Sequence, residues 1–464
     1  MGEWKGAEEG PRVVLIGMTD LAGYGIALSA LVTERELSRR IPDLSIRRMS
    51  PLGWQRRVTI AAGRGSEPLG ARTDARRDEI AALADAVVIG PVSLGQGEDS
   101  AIAASYGEDA AAVMATSPSA WFVDALGDTQ PPVPTAWNAI TAPSPFTPET
   151  AARVRNSLGR LAYVSVCGSA SRENLQAARV EREVHAVPEP ALLTARLFGD
   201  PALRRRLAFQ RTMGWVPPGP FITLVLDGHP IPDPPSLVRT LTDVLERHPE
   251  HALVIVDGGS LTDLVRAIED RHPARVYRAS AQLTLEDTAA VMREADLVLA
   301  GSAPVAAAAA SFGRRCVDVA GLHGTAPAAL GSPAPDPLIA GWCVELDSHF
   351  DALAAMISAA RPGPRPSDEA AGAPVTAAFA AAQGVLDART RQLARTRAVL
   401  GNALDKATAE AATAAEEGDR AREQLAGTQR HADHLQAELD AVHATKVFRV
   451  TKSMRAVYGR WRRT

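Results

Sequence analysis

Lysine is almost missing from this chain. Only Lys5, Lys406, Lys446 and Lys452 occur, so nearly all of the 50 basic residues are arginine, and 54 acidic residues leave a formal net charge of −4. With no basic excess there is no electrostatic footprint for nucleic acid. The arginine bias is read as base composition rather than as a phosphate-binding surface. Cysteine is equally scarce. Cys167, Cys316 and Cys343 are odd in number, far apart and without CxxC spacing, which argues against a disulfide framework or a zinc site and favours a reducing cytoplasm. Long apolar runs are absent too. No stretch approaches the roughly 18 residues of a spanning helix, and Met1-Gly2-Glu3-Trp4-Lys5 lacks the apolar centre of a signal peptide. No Ser/His/Asp or metal-ligand spacing stands out, so neither a cofactor nor a metal is expected.

What is present is a chain of 464 residues, 46% hydrophobic and 22% charged. That is more than one hydrophobic core usually supports, and it implies two globular domains plus an appendage. The organising stretch is Leu161 to Leu193. Tyr163 to Val166 is a short β-branched run suited to a buried strand, and Cys167-Gly168 breaks it. Ser169 or Ser171 can cap a helix, with Asn174 placed three residues after Ser171 to answer the cap. Val184 to Val187 reads as a second strand, halted by Pro188.

The same alternation runs outward from this unit. Val13 to Ile16 is a strand followed by a helix from Ile26 to Arg39, and Ala86 to Ile89 is a further strand. Gly17, Gly23 and Gly25 lie between the first strand and its helix, where they can bring backbone N–H groups to an anion or simply make a tight turn. Phe198 to Pro220 holds four prolines and reads as a crossing between domains. Beyond it, strands near Phe221–Leu226, Leu253–Val256, Val276–Tyr277, Leu297–Leu299 and Cys316–Val319 alternate with helices. Two Rossmann-like α/β domains are therefore expected, over residues 12–200 and 215–360. Ligands of such sheets sit at the carboxyl ends of strands, where the candidates are Asp227, Gly258 and Ser302. An Asp-Gly pair there can also be no more than a turn. His323, flanked by Gly321-Leu322 and Gly324, would be exposed to a ligand or to solvent alike.

Residues 361–375 read as a Pro/Gly/Ala-rich linker. After it, Leu386, Leu393, Leu400, Ala407 and their continuations recur every seven residues, predicting a long helix over 376–444 that either pairs two copies as a coiled-coil homodimer or, with its alanine-rich seam, stands as a single long helix. In 445–464 Lys446, Arg449, Lys452, Arg455, Arg460, Arg462 and Arg463 are unopposed by acids, while Val447, Val450, Met454, Val457 and Trp461 fall at helical spacing. That tail fits an anionic membrane surface, or a plain basic extension of the helix.

Several of these segments resemble the polysaccharide pyruvyl transferase family. Ser165-Val166-Cys167-Gly168, Ser171 and Val187-Pro188-Glu189 follow the family's Ser-Val-Arg-Asp, Ser and Val-Pro-Asp, and Pro134-Thr135-Ala136-Trp137-Asn138 follows Pro-Thr-x-Trp-Asn. The resemblance covers about residues 12–325. It implies a glycosyltransferase-B-like arrangement and transfer of the pyruvyl unit of phosphoenolpyruvate to a glycan acceptor of the cell surface. It also implies a site that includes Gly23, Gly25, Ser171 and Ser302, beside the strand-end candidates Asp227 and Gly258. The charged members of the pattern are replaced. Cys167 and Ser302 stand where the family has arginines, Pro304 stands where it has a histidine, and Gly25-Ile26-Ala27-Leu28 replaces Asn-x-Gly-Asp. His323, with Arg314 or Arg315, is the expected substitute for the missing groups. The alternatives are a non-catalytic relative that binds a glycan or partner enzyme, and a nucleotide-sugar glycosyltransferase. Each would work in the cytoplasm, on the inner face of the membrane where the tail holds it.

Overall fold

The computed structural model describes residues 10–18, 24–50, 66–69, 73–90, 92, 94, 133–226, 234–256, 262–279, 283–318 and 336–360, and near the C-terminus 424, 426–441, 451–452 and 454–456. The chain forms two compact units, Met1–Leu386 and Asp387–Thr464.

The first unit contains two parallel sheets. Seven strands make the first: β1 (Arg12–Ile16), β2 (Ser45–Ser50), β3 (Glu67–Pro68), β4 (Ala86–Ile89), β5 (Thr135–Ile140), β6 (Tyr163–Cys167) and β7 (His185–Val187), in the order β3-β2-β1-β4-β5-β6-β7. Five make the second: β8 (Phe221–Val225), β9 (Ala252–Val256), β10 (Val276–Arg278), β11 (Leu297–Ala300) and β12 (Arg315–Asp318), in the order β10-β9-β8-β11-β12. Central parallel strands are covered on both faces, so they read as unbroken apolar runs; all four residues of β4 and all five of β8 are buried. Each sheet reverses its strand order once, between β1 and β4 and between β8 and β11, as in a doubly wound Rossmann-like domain. The two expected Rossmann-like sheets are both present, within one compact unit.

Helix α1 (Tyr24–Arg40) follows β1 and is buried on two sides. Tyr24, Ala27, Leu28 and Leu31 pack with the helices of the second sheet, while Val32 and Leu37 pack with the first. The other helices of the first sheet are α2 (Asp74–Leu83), α3 (Pro148–Leu158) and α4 (Gly168–Ala177). A short helix α5 (Thr194–Leu197) precedes the proline-bearing crossing, which contains α6 (Asp200–Thr212). The buried Gln210 of α6 donates from Nε2 to the Asp287 carbonyl at 3.0 Å. The second sheet carries α7 (Pro234–Arg247), α8 (Thr262–Glu269), α9 (Leu285–Glu294) and α10 (Ala303–Ser311). Helix α9 begins with a capping box in which Thr284 and Asp287 satisfy each other's backbone N–H.

No helix was expected between β12 and the linker that starts at 361, yet α11 (Asp336–Ala359) is the longest described. Leu346, Phe350, Leu353, Ala354 and Ile357 recur at helical spacing and are buried with Val13 and Leu15 of β1. The chain thus returns from the second sheet to cover the first. Asp347 ties this helix to the rest: Arg196 grips its carboxylate with two contacts of 2.8 and 3.0 Å, and Arg40 adds one at 2.8 Å.

In the second unit the described helix spans 426–441 and is exposed at every position but Gly427, with Leu435 and Leu439 49% and 52% open to solvent. Most of the expected 376–444 coil lies outside the described residues. Among the described residues no helix is long and apolar enough to cross a membrane.

Candidate functional site

Strand order alone marks two crevices, one at each reversal. The two are built alike. The glycine after β4, Gly90, donates its N–H to Ile16 O at 2.8 Å, and the glycine after β11, Gly301, donates to Val225 O at 2.9 Å. Gly90 has φ +121°, and a Cβ there would lie 2.3 Å from the Asn138 carbonyl oxygen, so only glycine fits. Ser302, at the second reversal, is buried and is the N-cap of α10 without a side-chain capping bond. Gly25 is buried in the first turn of α1 beside the first reversal.

Farther along the first sheet, the carboxyl ends of β6 and β7 carry a small polar cluster. Gly168 takes φ +76° and turns the chain from β6 directly into α4. This places the buried Cys167 at the helix N-cap. Its thiol donates to Glu189 Oε2 at 3.3 Å, and Ser29 of α1 donates its hydroxyl to Glu189 Oε1 at 2.8 Å. Burial pushes the Cys167 thiol well above its ordinary range, and the neighbouring carboxylate raises it further. The sulfur is therefore a neutral hydrogen-bond donor rather than a thiolate nucleophile.

Under this cluster runs a chain of polar groups, buried as far as His349 and half-buried at Tyr163. Thr33 Oγ1 donates to Ser29 O at 3.0 Å and accepts from Asn138 Nδ2 at 2.9 Å. Asn138 Oδ1 lies 2.8 Å from His349 Nε2, and His349 Nδ1 lies 2.9 Å from the Tyr163 hydroxyl. With Asn138 donating through its amide, its carbonyl must accept, which makes Nε2 the protonated nitrogen of His349 and leaves Nδ1 to accept from Tyr163. Burial, with His185 and Arg40 nearby, lowers the His349 pKa to about 3, and burial with Glu183 raises that of Tyr163 to about 12. Both groups are neutral in this chain. Tyr163 also stacks on His185 with ring centres 5.0 Å apart. Beside Asn138 the backbone bulges, with Ala139 at φ +50°, and Ser165 Oγ secures the bulge by donating to Trp137 O at 3.1 Å and accepting from Ala139 N at 2.9 Å.

The expected site residues fare differently. Gly23, Asp227, Gly258 and His323 lie outside the described residues. Ser171 does not cap α4. It is buried inside the helix, where its hydroxyl accepts from Ala142 N at 3.0 Å while Asn174 Nδ2 donates to Ala142 O at 2.8 Å. The pair holds the segment after β5, because Gly168 starts the helix earlier than serine capping would. Arg314 and Arg315 do not converge with Ser302. Arg315 opens β12 and pairs with Leu297, whereas Ser302 follows the far end of β11. In a parallel sheet the start and end of a strand are opposite edges, about 10–13 Å apart for four residues. Of the groups the cluster does use, Ser29, Thr33 and His349 were missed. Ser29 and Thr33 share one face of α1 at i,i+4, which was a legible signal, but nothing in the sequence pairs either with residues more than a hundred positions away.

No family model matches the chain, and no curated protein matches it. Among solved structures, it is similar to a UDP-GlcNAc 2-epimerase from Neisseria meningitidis bound to UDP-GlcNAc, with 11% identity, TM-score 0.41 and coverage of 74% of this chain and 94% of that one. An E. coli heptosyltransferase with ADP gives 13% identity and TM-score 0.34 over 73% and 99% of the two chains. A glycosyl transferase family 9 protein from Veillonella parvula gives 11%, 0.30, 66% and 79%.

Proposed function

We propose that the protein is a glycan-directed relative of the polysaccharide pyruvyl transferases that holds a sugar at the carboxyl edge of its first sheet and does not transfer pyruvate from phosphoenolpyruvate. The observation that carries this reading is the contact between Cys167 and Glu189. At that position a pyruvyl donor, which brings a phosphate and a carboxylate, needs a cation. With a neutral thiol in place of that cation and a carboxylate beside it, the position suits the hydroxyl groups of a sugar instead. The second expected arginine position is Ser302, and Pro304 within α10 cannot donate a proton.

A second reading has support from α10. Its N-terminus at the β8/β11 reversal is the kind of place where helix N–H groups bind a diphosphate, so a nucleotide sugar is the alternative ligand. In either case the basic tail would keep the protein beside a cytoplasmic membrane face bearing lipid-linked glycans, and the heptad helix would pair two copies.

Thermal unfolding in the presence of phosphoenolpyruvate, neutral surface oligosaccharides and UDP- or ADP-sugars separates these readings. A ligand at ten times its Kd adds about 1.4 kcal/mol to the folded state, which raises Tm by a few degrees. A neutral glycan should do so, and Glu189→Gln should remove the shift. A shift produced by phosphoenolpyruvate and insensitive to Glu189→Gln would overturn the proposal, and one produced only by nucleotide sugars would establish the second reading in its place.

A further inference from the structure

The turn between α7 and β9 reads His248-Pro249-Glu250-His251, at the amino edge of the second sheet and away from both strand-order reversals. Its shape is fixed. His251 N donates to His248 O at 3.1 Å, closing a four-residue turn with proline at its second position. Arg275 reaches across and donates to the carbonyls of Leu245, His248 and His251 at 2.6–3.0 Å. Three donor atoms gather on the outer side of this turn: those of His248, Glu250 and His251 all lie within 4.8 Å of one another. His248 Nδ1 is 3.9 Å and His251 Nδ1 2.7 Å from Glu250 Oε1.

The tautomer of His251 decides what this group can do. Its Nε2 lies 3.0 Å from Asp296 Oδ2, the residue before β11. A carboxylate accepts only, so Nε2 carries the proton, and in the neutral ring Nδ1 then offers a lone pair toward the cluster. That Nδ1 is buried and makes no well-aligned hydrogen bond, and the nearest acceptor is Glu250 Oε1 at 2.7 Å. A ring nitrogen and a carboxylate oxygen this close can be chelated together by one cation bound to both. The carboxylate-to-histidine contact behind it is the arrangement that orients imidazole ligands on metals.

We propose that His248, Glu250 and His251 form a binding site for a divalent transition metal of the zinc type, with Asp296 orienting His251. Two imidazole nitrogens and one carboxylate suit zinc, cobalt or nickel rather than magnesium or calcium. Three protein donors leave a fourth position to water or to an outside ligand. The site lies on the opposite edge of the second sheet from Ser302, so it does not depend on the function proposed above.

Equilibrium dialysis of Zn2+ against the untagged full-length protein tests this, with Co2+ absorption as a second readout. One Zn2+ per chain should bind, and Co2+ should give the intense visible bands of a four-coordinate site. Glu250→Gln leaves packing untouched because the side chain is exposed, and it should weaken binding about tenfold or more; Asp296→Asn should weaken it roughly 10–100-fold. The double variant His248→Gln, His251→Gln should abolish the stoichiometric site. Failure of the unmodified protein to bind, or binding unchanged in Glu250→Gln and in the double variant, would overturn the assignment.

Discussion

Acid should unfold this protein in part through one buried imidazole. His349 is 3% exposed, and its pKa in the folded chain is about 3 against an ordinary 6.5. Folding therefore favours the neutral ring. Below pH 6.5 the unfolded chain takes up a proton that the folded chain refuses, so stability falls as pH drops from 6.5 toward 3 and is fully recovered above 6.5. The slope is about 1.4 kcal/mol per pH unit, or about 2–3 kcal/mol between pH 6.5 and 4.5. Urea unfolding at a series of pH values measures it. His349→Gln is the informative partner, because an amide can still donate to Asn138 but cannot titrate. The variant should be less stable at pH 7, since the Tyr163 hydroxyl loses its acceptor at about 1–3 kcal/mol, yet its stability should fall less steeply in acid. Parallel curves for the two proteins from pH 6.5 to 4.5 would refute the reasoning.

Other consequences can be checked alongside it. Asp347 is held at a pKa of about 2, chiefly by its hydrogen bond from Arg196 and then by Arg40. Its contribution is present above its ordinary 3.8 and is lost as pH falls toward 2. Because the side chain is 35% exposed, Asp347→Asn should cost only about 1 kcal/mol at pH 7, read as a small drop in urea midpoint. Phe350→Ala should cost roughly 3–5 kcal/mol by calorimetry, since the ring is fully buried between α11 and the first sheet. A loss under 1 kcal/mol would mean that α11 does not dock there. Deleting residues 445–464 should abolish sedimentation with anionic vesicles, and salt should weaken the intact protein's binding; equal binding to neutral vesicles would count against an electrostatic tail.

Which parts of this molecule were legible in its sequence follows from how far each signal reaches. Strands such as Ala86–Ile89 and Phe221–Val225 declare themselves locally, because burial on both faces demands a continuous apolar run. Two Rossmann-like sheets followed from their alternation with helices. The extent of α1 was nearly right for the same reason. Strand polarity was less visible. Arg314 and Arg315 are close in sequence to the helix that follows Ser302, but the return through α10 carries them to the opposite edge. Ser171 and Asn174 had the spacing of a capping box, and the positive φ of Gly168 displaced the cap by starting the helix four residues earlier. The chain from Thr33 through Asn138 to His349 joins residues 105 and 211 positions apart, and no local pattern encodes such a meeting. The turn His248-Pro249-Glu250-His251 was passed over because its spacing matches no familiar metal motif, and its fourth participant, Asp296, comes 45 residues later.

The claim on which this account rests is that the carboxyl edge of the first sheet, with Glu189 between Cys167 and Ser29, receives sugar hydroxyls and not phosphoenolpyruvate. The most direct measurement is phosphate release when the purified full-length protein is given phosphoenolpyruvate together with candidate surface glycans. Release no faster than in the protein-free control, with the glycan still bound in a parallel calorimetric titration, is the expected result. Glycan-dependent phosphate release over many turnovers, with a pyruvyl ketal on the sugar product, would contradict it.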